Sequence, residues 1–264
     1  DRLRTVRRFN QKNLFIRECR DSGLPVPPTR TFACKSQLAD PEASSNSLSY
    51  PLMLKASECI SGYGVAEVAT PEELADSLET IEPGVAIQLQ EKLAAPLCFI
   101  NLQYQIHEGT LRRLWTTEQI MEGCKHVGNL CPGRWQPWHL TDPLARRMLG
   151  SGMKGHFAFD LAVCDSPTAP RFYLLECNPR YNGASYPAML ARRLGVLSWR
   201  AQNLPTAKAG LEDLDITGLE YDPDTREGVV VYNWGAVLNG VIGLMVVGSP
   251  DRQLQLMQKL AALL

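Results

Sequence analysis

Two apolar runs dominate the middle of the chain. Phe172-Tyr173-Leu174-Leu175 leads into Glu176-Cys177-Asn178-Pro179-Arg180, and His156-Phe157-Ala158-Phe159-Asp160-Leu161-Ala162-Val163 lies upstream. Both are rich in aromatic and aliphatic residues, which predicts strands. Asp165-Ser166-Pro167 starts a turn between them, so the pair reads as a hairpin. Alternate residues of a strand share a face, so Glu176 and Asn178 point the same way while Cys177 faces the packed side. Hairpin pairing then brings Asp160 beside Glu176 and Asn178.

Elsewhere the periodicity switches between helix and strand. A partial apolar stripe through Leu3, Val6, Phe9, Asn13, Leu14, Ile16 and Cys19 predicts one helix over 1–22, stopped by Gly23 and Pro25. An extended connector follows to Pro28. Strands are predicted at 29–33, 50–56, 65–68 and 85–91. Thr70-Pro71-Glu72-Glu73 is a helix start, with Thr70 as cap, proline in the first turn and Glu73 three residues on. Strands dominate after Pro96, at about 97–107, 111–121, 156–164 and 171–177, with a helix over 140–149. The segment around Cys124 to Gly133 reads as a loop because of Gly123, Gly128, Pro132 and Gly133. Tyr186 to Leu194 is helical and ends at Gly195; 229–234 and 241–247 are late strands. A closing helix over 250–264 places Leu254, Met257, Leu260, Ala261 and Leu264 on one face. The pattern is α+β: an N-terminal helix and connector over 1–28, a compact unit over 29–93 built on a strand–loop–strand hairpin, and a strand-rich unit over 94–264.

Composition narrows the function classes. With 264 residues, 45% hydrophobic and 21% charged, the chain can bury a sizeable core. A net charge of -1 gives no electrostatic case for nucleic acid or an anionic membrane. No apolar run approaches the ~20 residues that cross a bilayer. The eight cysteines are dispersed without a Cys-x-x-Cys pair, which points to a reduced, cytoplasmic protein using cysteine as a small hydrophobe. Cys124, His126, Cys131 and His139 fit no familiar zinc spacing. The chain begins at Asp1 without Met, so upstream sequence is expected.

The candidate chemistry sits in three places. Asp160, Glu176 and the Asn178 amide oxygen form a hard oxygen set that suits Mg²⁺, which completes its octahedron with water and substrate phosphates. Arg180 adds a fork of donors for a carboxylate or phosphate. The alternative is a solvated surface hairpin, but acids at the mouth of an apolar strand are costly without a partner. Second, Lys55 ends an apolar strand ahead of Ser57, Ser61, Gly62 and Gly64, whose backbone could cradle an anion. It is not a Walker loop, and a plain turn with a solvated lysine is the competing reading. Third, Gln88 to Leu93 ends a strand in a way that suits adenine, though an ordinary polar terminus has the same pattern.

In this order, Lys12, Gly23-Leu24-Pro25-Val26-Pro27, the strand to Lys55, Gly62-Tyr63-Gly64, Glu91-Lys92-Leu93, Phe159-Asp160 and Glu176-Cys177-Asn178-Pro179-Arg180, the chain resembles the ATP-grasp superfamily. The resemblance is to the branch with biotin carboxylases, carbamoyl-phosphate synthetases and amino-acid ligases, and it covers nearly the whole sequence. It implies two α+β lobes gripping ATP, with a leading α/β domain that is not visible here. It implies that Lys12 and Lys55 bind ATP phosphates, that Ser61, Gly62 and Gly64 form a lid loop in which Tyr63 moves, and that Glu91, Lys92 and Leu93 sit at adenine and ribose. Asp160, Glu176 and Asn178 would hold one or two Mg²⁺, and Arg180, with Lys55 and Asn178, would serve catalysis by orienting the acid and its acyl-phosphate. Such enzymes are often homodimers.

The implied reaction joins a small-molecule carboxylate to an amine, with amino acids as the expected substrates and ADP and phosphate as products. Leu97-Cys98-Phe99 stands where a carboxylase would carry a basic, histidine-bearing pattern, and no carboxylase-type C-terminal region is visible, which counts against bicarbonate and biotin chemistry. A non-catalytic ATP-binding module has no need of the full acid set. Arg134, Trp135, Trp138, His126, Asn182, Tyr186 and Trp234 are candidates for the acceptor pocket. Trp138 and Trp234 read as core or rim packing ahead of substrate contacts, and Asn182-Gly183-Ala184-Ser185 is the better candidate for a small carboxylate.

Overall fold

The computed structural model describes residues 2–38, 47–57 and 64–264. Ser61, Gly62 and Tyr63 lie outside the described residues. Every ladder between the named strands is antiparallel. The chain divides into two compact units: one of residues 1–114, 123–125 and 137–180, the other of 115–122, 126–136 and 181–264.

The first unit opens with two helices where the stripe predicts one. α1 (Arg2–Asn10) and α2 (Lys12–Asp21) are broken at Gln11, whose backbone is extended at φ -75 and ψ 116. The break has a tertiary cause. Lys12 N and Asn13 N, which open α2, donate to Ser57 O at 3.1 Å and Ser57 Oγ at 3.2 Å. A residue 44 positions away therefore caps this helix in place of its own N-cap side chain. A four-stranded sheet follows in the order β1 (Thr29–Phe32), β4 (Ile87–Glu91), β2 (Leu52–Ala56), β3 (Val65–Val68). Its apolar face buries Phe32, Leu52, Leu54, Val68, Ile87 and Leu89 against Leu74 and Leu78 of α3 (Pro71–Glu79). Thr70 caps α3 by accepting from Glu73 N at 3.2 Å, and the Glu73 carboxylate accepts from Ala69 N at 2.7 Å.

The unit also holds β5 (Cys98–His107), α4 (Trp138–Gly150) and the hairpin of β8 (Gly155–Ser166) and β9 (Ala169–Asn178). β8 pairs with β5 on one side and β9 on the other. One face of this ladder is apolar: Tyr104, Phe157 and Phe159 form an aromatic cluster, and Phe159 stacks on Phe15 of α2 at 6.1 Å. Asp160 pairs with Glu176 while Leu161 pairs with Leu174, so Leu175 is an extra residue, a β-bulge.

β6 (Thr110–Glu122) contributes residues to both units. The second unit carries the ladder of β7 (Lys125–Cys131), β10 (Trp199–Pro205), β12 (Val241–Val247) and β11 (Gly228–Asn233). It also carries α5 (Ser185–Leu194) and α6 (Pro250–Ala261). β7 corrects the expected loop. A Cβ on Gly128 would come within 2.3 Å of Ala201 O, so that glycine marks close strand packing rather than a turn. The face of α6 also differs from expectation. Gln253, Leu256 and Leu260 are buried, whereas Leu254 is 53% exposed. Gln253 Nε2 donates to Ser198 Oγ and Gly248 O, each at 2.9 Å, which draws a polar residue to the packed side.

Asn13 rivets α2 to the four-stranded sheet: its Nδ2 donates to Phe32 O at 3.0 Å and Ile87 O at 3.1 Å. Asn13→Ala leaves two strand-end carbonyls without that donor. The expected cost is about 2 kcal/mol, read as a lower midpoint in urea at unchanged slope. A midpoint equal to wild type would contradict this reading.

Candidate active site

The acid set is built by strand register. Asn101 on β5 lies opposite Asp160 on β8, and Asp160 lies opposite Glu176 on β9. Directly paired residues share a face, so the three form one cross-strand row. Asn178 falls in the next row, opposite Ala158. The bulge at Leu175 restores Glu176 to the face of Asp160. Across this face run buried polar side chains, Asn101, Gln103, Asp160 and Asn178, in place of a second apolar layer.

The contacts within the row are close. Asn101 Nδ2 donates to Asp160 Oδ1 at 2.5 Å. Asn178 Nδ2 donates to Asp160 Oδ2 at 2.8 Å and to Glu176 Oε1 at 3.1 Å. Lys12 Nζ lies 3.0 Å from Glu176 Oε2, and the Lys12 side chain is only 9% exposed. Arg180 Nη1 donates to Asn10 Oδ1, at the end of α1. Lys12, Asp160, Glu176 and Asn178 are therefore gathered at one place in the first unit.

The other candidates have different surroundings. Lys55, opposite Gln88 in the register, donates to Gln90 Oε1 at 2.6 Å, and Gln90 Nε2 donates to Thr29 Oγ1 at 2.9 Å. These side chains share the face of the four-stranded sheet opposite its apolar core. Glu91 Oε1 accepts from Ser49 N at 2.7 Å, and Lys92 Nζ donates to Glu67 Oε1 at 2.5 Å. Leu93 follows at the end of β4 and is half-buried. Gly64, at φ 70, closes the β2–β3 hairpin, its carbonyl accepting from Ala56 N at 2.8 Å. In the second unit Asn182 Oδ1 accepts from the Ala184 and Ser185 backbone and from Ser185 Oγ, so it shapes the start of α5. Trp234 packs against the buried cluster of Val229, Ile242 and Leu256, while in the first unit Trp138 meets Tyr104 edge-on at 5.2 Å.

Sequence reasoning missed Asn101, Asn13 and the capping role of Ser57, which it placed only in the anion loop. The first had a signal: Asn101, Gln103 and Gln105 alternate with Ile100, Leu102, Tyr104 and Ile106, the mark of a strand with one polar face. The other two act across the fold, and no local pattern marks them.

The donor set fits a magnesium ion. Two carboxylates and a carboxamide are hard oxygen ligands, and turning Asn178 about its terminal bond presents its oxygen in place of its NH₂. Among the described residues no group of three or more His, Cys, Asp or Glu side chains is placed to hold a metal, so Asn178 is the third protein donor in this reading.

The two acids differ in charge state. Burial and the neighbouring Glu176 charge push the Asp160 carboxyl well above its ordinary range, against the donation from Asn101. Burial also opposes the charge on Glu176, but Lys12, Asp160 and Asn178 outweigh it and bring this carboxyl down to about 2. Burial and repulsion thus favour the neutral form of Asp160, and Lys12 the charged form of Glu176. An acid whose pKa rises on folding binds more protons in the native than in the unfolded chain, so its contribution to stability falls as pH climbs past the ordinary value of about 4. In a metal-chelating buffer at pH 7, Asp160→Asn is expected to melt a few degrees above wild type, with the gap closing below about pH 4. Calorimetry across that range checks it; a variant less stable than wild type at pH 7 contradicts the assignment.

No family model matches the sequence, and no curated protein matches it. Solved structures do. A carboxyaminoimidazole ribonucleotide synthase from Aspergillus clavatus, complexed with ATP, superposes with a TM-score of 0.69 at 16% identity, over 98% of this chain and 74% of that one. An N5-carboxyaminoimidazole synthetase from Staphylococcus aureus, complexed with ADP, gives 0.66 at 14% identity, over 97% and 71%. A biotin carboxylase from Campylobacter jejuni, in complex with an ATP analogue, gives 0.66 at 16% identity, over 92% and 63%. Both kinds of enzyme are ATP-grasp proteins. At these identities the likeness speaks for the backbone, and the chain described here has the ATP-grasp fold.

Proposed function

We propose that this chain is an ATP-dependent ligase that joins a small-molecule carboxylate to an amine through an acyl-phosphate, releasing ADP and phosphate. The observation that carries the reading is the buried lysine paired with a carboxylate in one cross-strand row with a second acid, Lys12–Glu176–Asp160, within an ATP-grasp fold. A surface hairpin has no reason to bury a lysine against one acid beside a second acid that is itself buried.

Asp160, Glu176 and Asn178 would hold one or two Mg²⁺, which when bound offset the charge of the β- and γ-phosphates. Lys12 and Lys55 contact phosphate oxygens; Lys12, which pairs with Glu176, turns its ammonium to the nucleotide. Glu91, Lys92 and Leu93 flank adenine and ribose. Arg180 steers the acid so that its oxygen attacks the terminal phosphorus in line as the bond to ADP breaks. The amine then attacks the acyl carbon and phosphate leaves, with water excluded so that the acyl-phosphate is not hydrolysed. In this reading 1–28 is the leading helix and connector, 29–93 the lid subdomain with Gly64 at its hairpin, and 94–264 the catalytic subdomain. Amino acids are the first substrates to try, and a homodimer the first assembly.

No helix among the described residues is long and apolar enough to cross a membrane. Cys19, Cys34, Cys124, Cys131, Cys164 and Cys177 form no disulfide, which supports a reducing, cytoplasmic setting.

The names of the similar structures favour a second reading, in which the acid is bicarbonate and the intermediate carboxyphosphate. Hydroxylamine separates the two. With Mg-ATP and a panel of amino acids, the ligase reading expects ADP release that depends on the added acid and a hydroxamate of that acid. ADP release with bicarbonate alone, and no hydroxamate, supports the second reading instead. Under the ligase reading Glu176→Ala is expected to lower kcat by roughly a hundredfold or more, with a smaller effect on KM for ATP, because the charge it helps to balance develops in the transition state. Near-normal ADP release by that variant would rule out the assigned role.

A further inference from the structure

The buried carboxamide of Asn101 has a donor half that is used and an acceptor half that is not. Its Nδ2 donates to Asp160 Oδ1 at 2.5 Å. Its Oδ1 is fully buried and has no hydrogen-bond partner. The residue is only 2% exposed, at the β5 end of the row that continues through Asp160 to Glu176. A buried acceptor without a donor costs on the order of 1–3 kcal/mol, and protein interiors keep few such atoms. Packing alone gives no reason for an amide here, because leucine has nearly the same shape.

A hydrated cation supplies the missing donor. Magnesium keeps several of its waters when proteins bind it, and those waters must themselves donate to something. Glu176 and Asp160 accept from Lys12, Asn101 and Asn178, so the acids are already shared among donors of the protein. Asn101 Oδ1 is an uncommitted acceptor in the same row.

We propose that Asn101 is a positioning residue of the cation site, holding Asp160 through Nδ2 and accepting a hydrogen bond from a metal-bound water through Oδ1. This rests on the magnesium reading of Asp160, Glu176 and Asn178. It goes beyond that reading by adding a residue that touches the ion only through its water and through a ligand.

Mn²⁺ in place of Mg²⁺ provides a readout separate from turnover. Binding of Mn²⁺ with ATP to the full chain is followed by the loss of the free-ion signal in electron paramagnetic resonance. ATP affinity in chelator is measured beside it, and circular dichroism checks the fold. Asn101→Leu keeps the volume and removes both halves of the amide; Asn101→Ala is the second variant if leucine is not accommodated. The expected result is Mn²⁺ affinity weakened about 10- to 100-fold in a folded variant, with metal-free ATP affinity within twofold of wild type. A folded variant that binds Mn²⁺ within twofold of wild type overturns the proposal while leaving the magnesium reading standing. Wild-type protein that binds ATP but no Mn²⁺ overturns both.

Discussion

The first turn of α2 is the point on which the first unit depends. Lys12 and Asn13 are adjacent, and they face different partners: Lys12 reaches the acid on β9, and Asn13 reaches two strand-end carbonyls of the four-stranded sheet. Neither contact is optional once the residues are buried. An unpaired lysine at this depth, or an asparagine with both polar ends idle, would cost more than a surface ion pair returns. Ser57 then completes the turn by taking its two leading N–H groups. A chain break of one residue, at Gln11, is what lets the helix begin at the right place for all three.

That turn also explains how acids can stand side by side. Two carboxylates in one row repel: burial and that repulsion favour a neutral Asp160, while Lys12 and the Asn178 NH₂ favour the charge on Glu176. The arrangement is held in place by the aromatic face behind it, where Phe159, Tyr104 and Phe157 pack on the side of β5 and β8 away from the acids, with Phe15 of α2 stacked on Phe159. One face of the ladder supplies cohesion and the other carries strained polar chemistry. Stability and ligand readiness are thus divided between the two sides of the same strands.

Much of this was legible because strand period is rigid. An apolar run that ends in Glu-Cys-Asn, opposite another that contains Asp, leaves few ways to arrange the side chains, and the hairpin register places Asp160 against Glu176. Charged residues announced the site, and Asn178 was read with them only because it shares a face with Glu176 two residues away. Asn101 sat in an alternating strand but carried no charge to set it apart. Ser57 and Asn13 act over 44 positions of sequence, beyond the reach of any local pattern. β7 was hidden by Gly128, whose missing side chain serves the neighbouring strand, and β10 by its mixture of Arg200, Gln202 and Asn203 among buried Trp199 and Ala201. The stripe of α6 was displaced because Gln253 finds two acceptors on the packed side. In each case a tertiary contact outweighed the local preference.

Among the described residues, four of the five unpaired buried side-chain atoms of the first unit fall on the polar side of its sheets or at the turn that caps α2; the fifth, Tyr50 Oη, lies against the apolar core. Asn101 Oδ1 belongs to the acid row, Asn13 Oδ1 to the capped turn, and both polar atoms of Gln88 to the face of the four-stranded sheet that carries Lys55 and Gln90. The opposite face of each sheet, where Leu89 or Phe159 lies, is apolar. Evolution can remove an idle amide from a core by a single change to leucine at little steric cost. Four such atoms retained beside lysines and carboxylates are most simply explained as acceptors and donors for something the protein binds: a hydrated cation at one end, and at the other a polyanion that Lys55 would meet. The fold places two polar faces in one unit, and the chemistry of their unfilled hydrogen bonds, more than the backbone likeness, is what argues for a nucleotide and its metal.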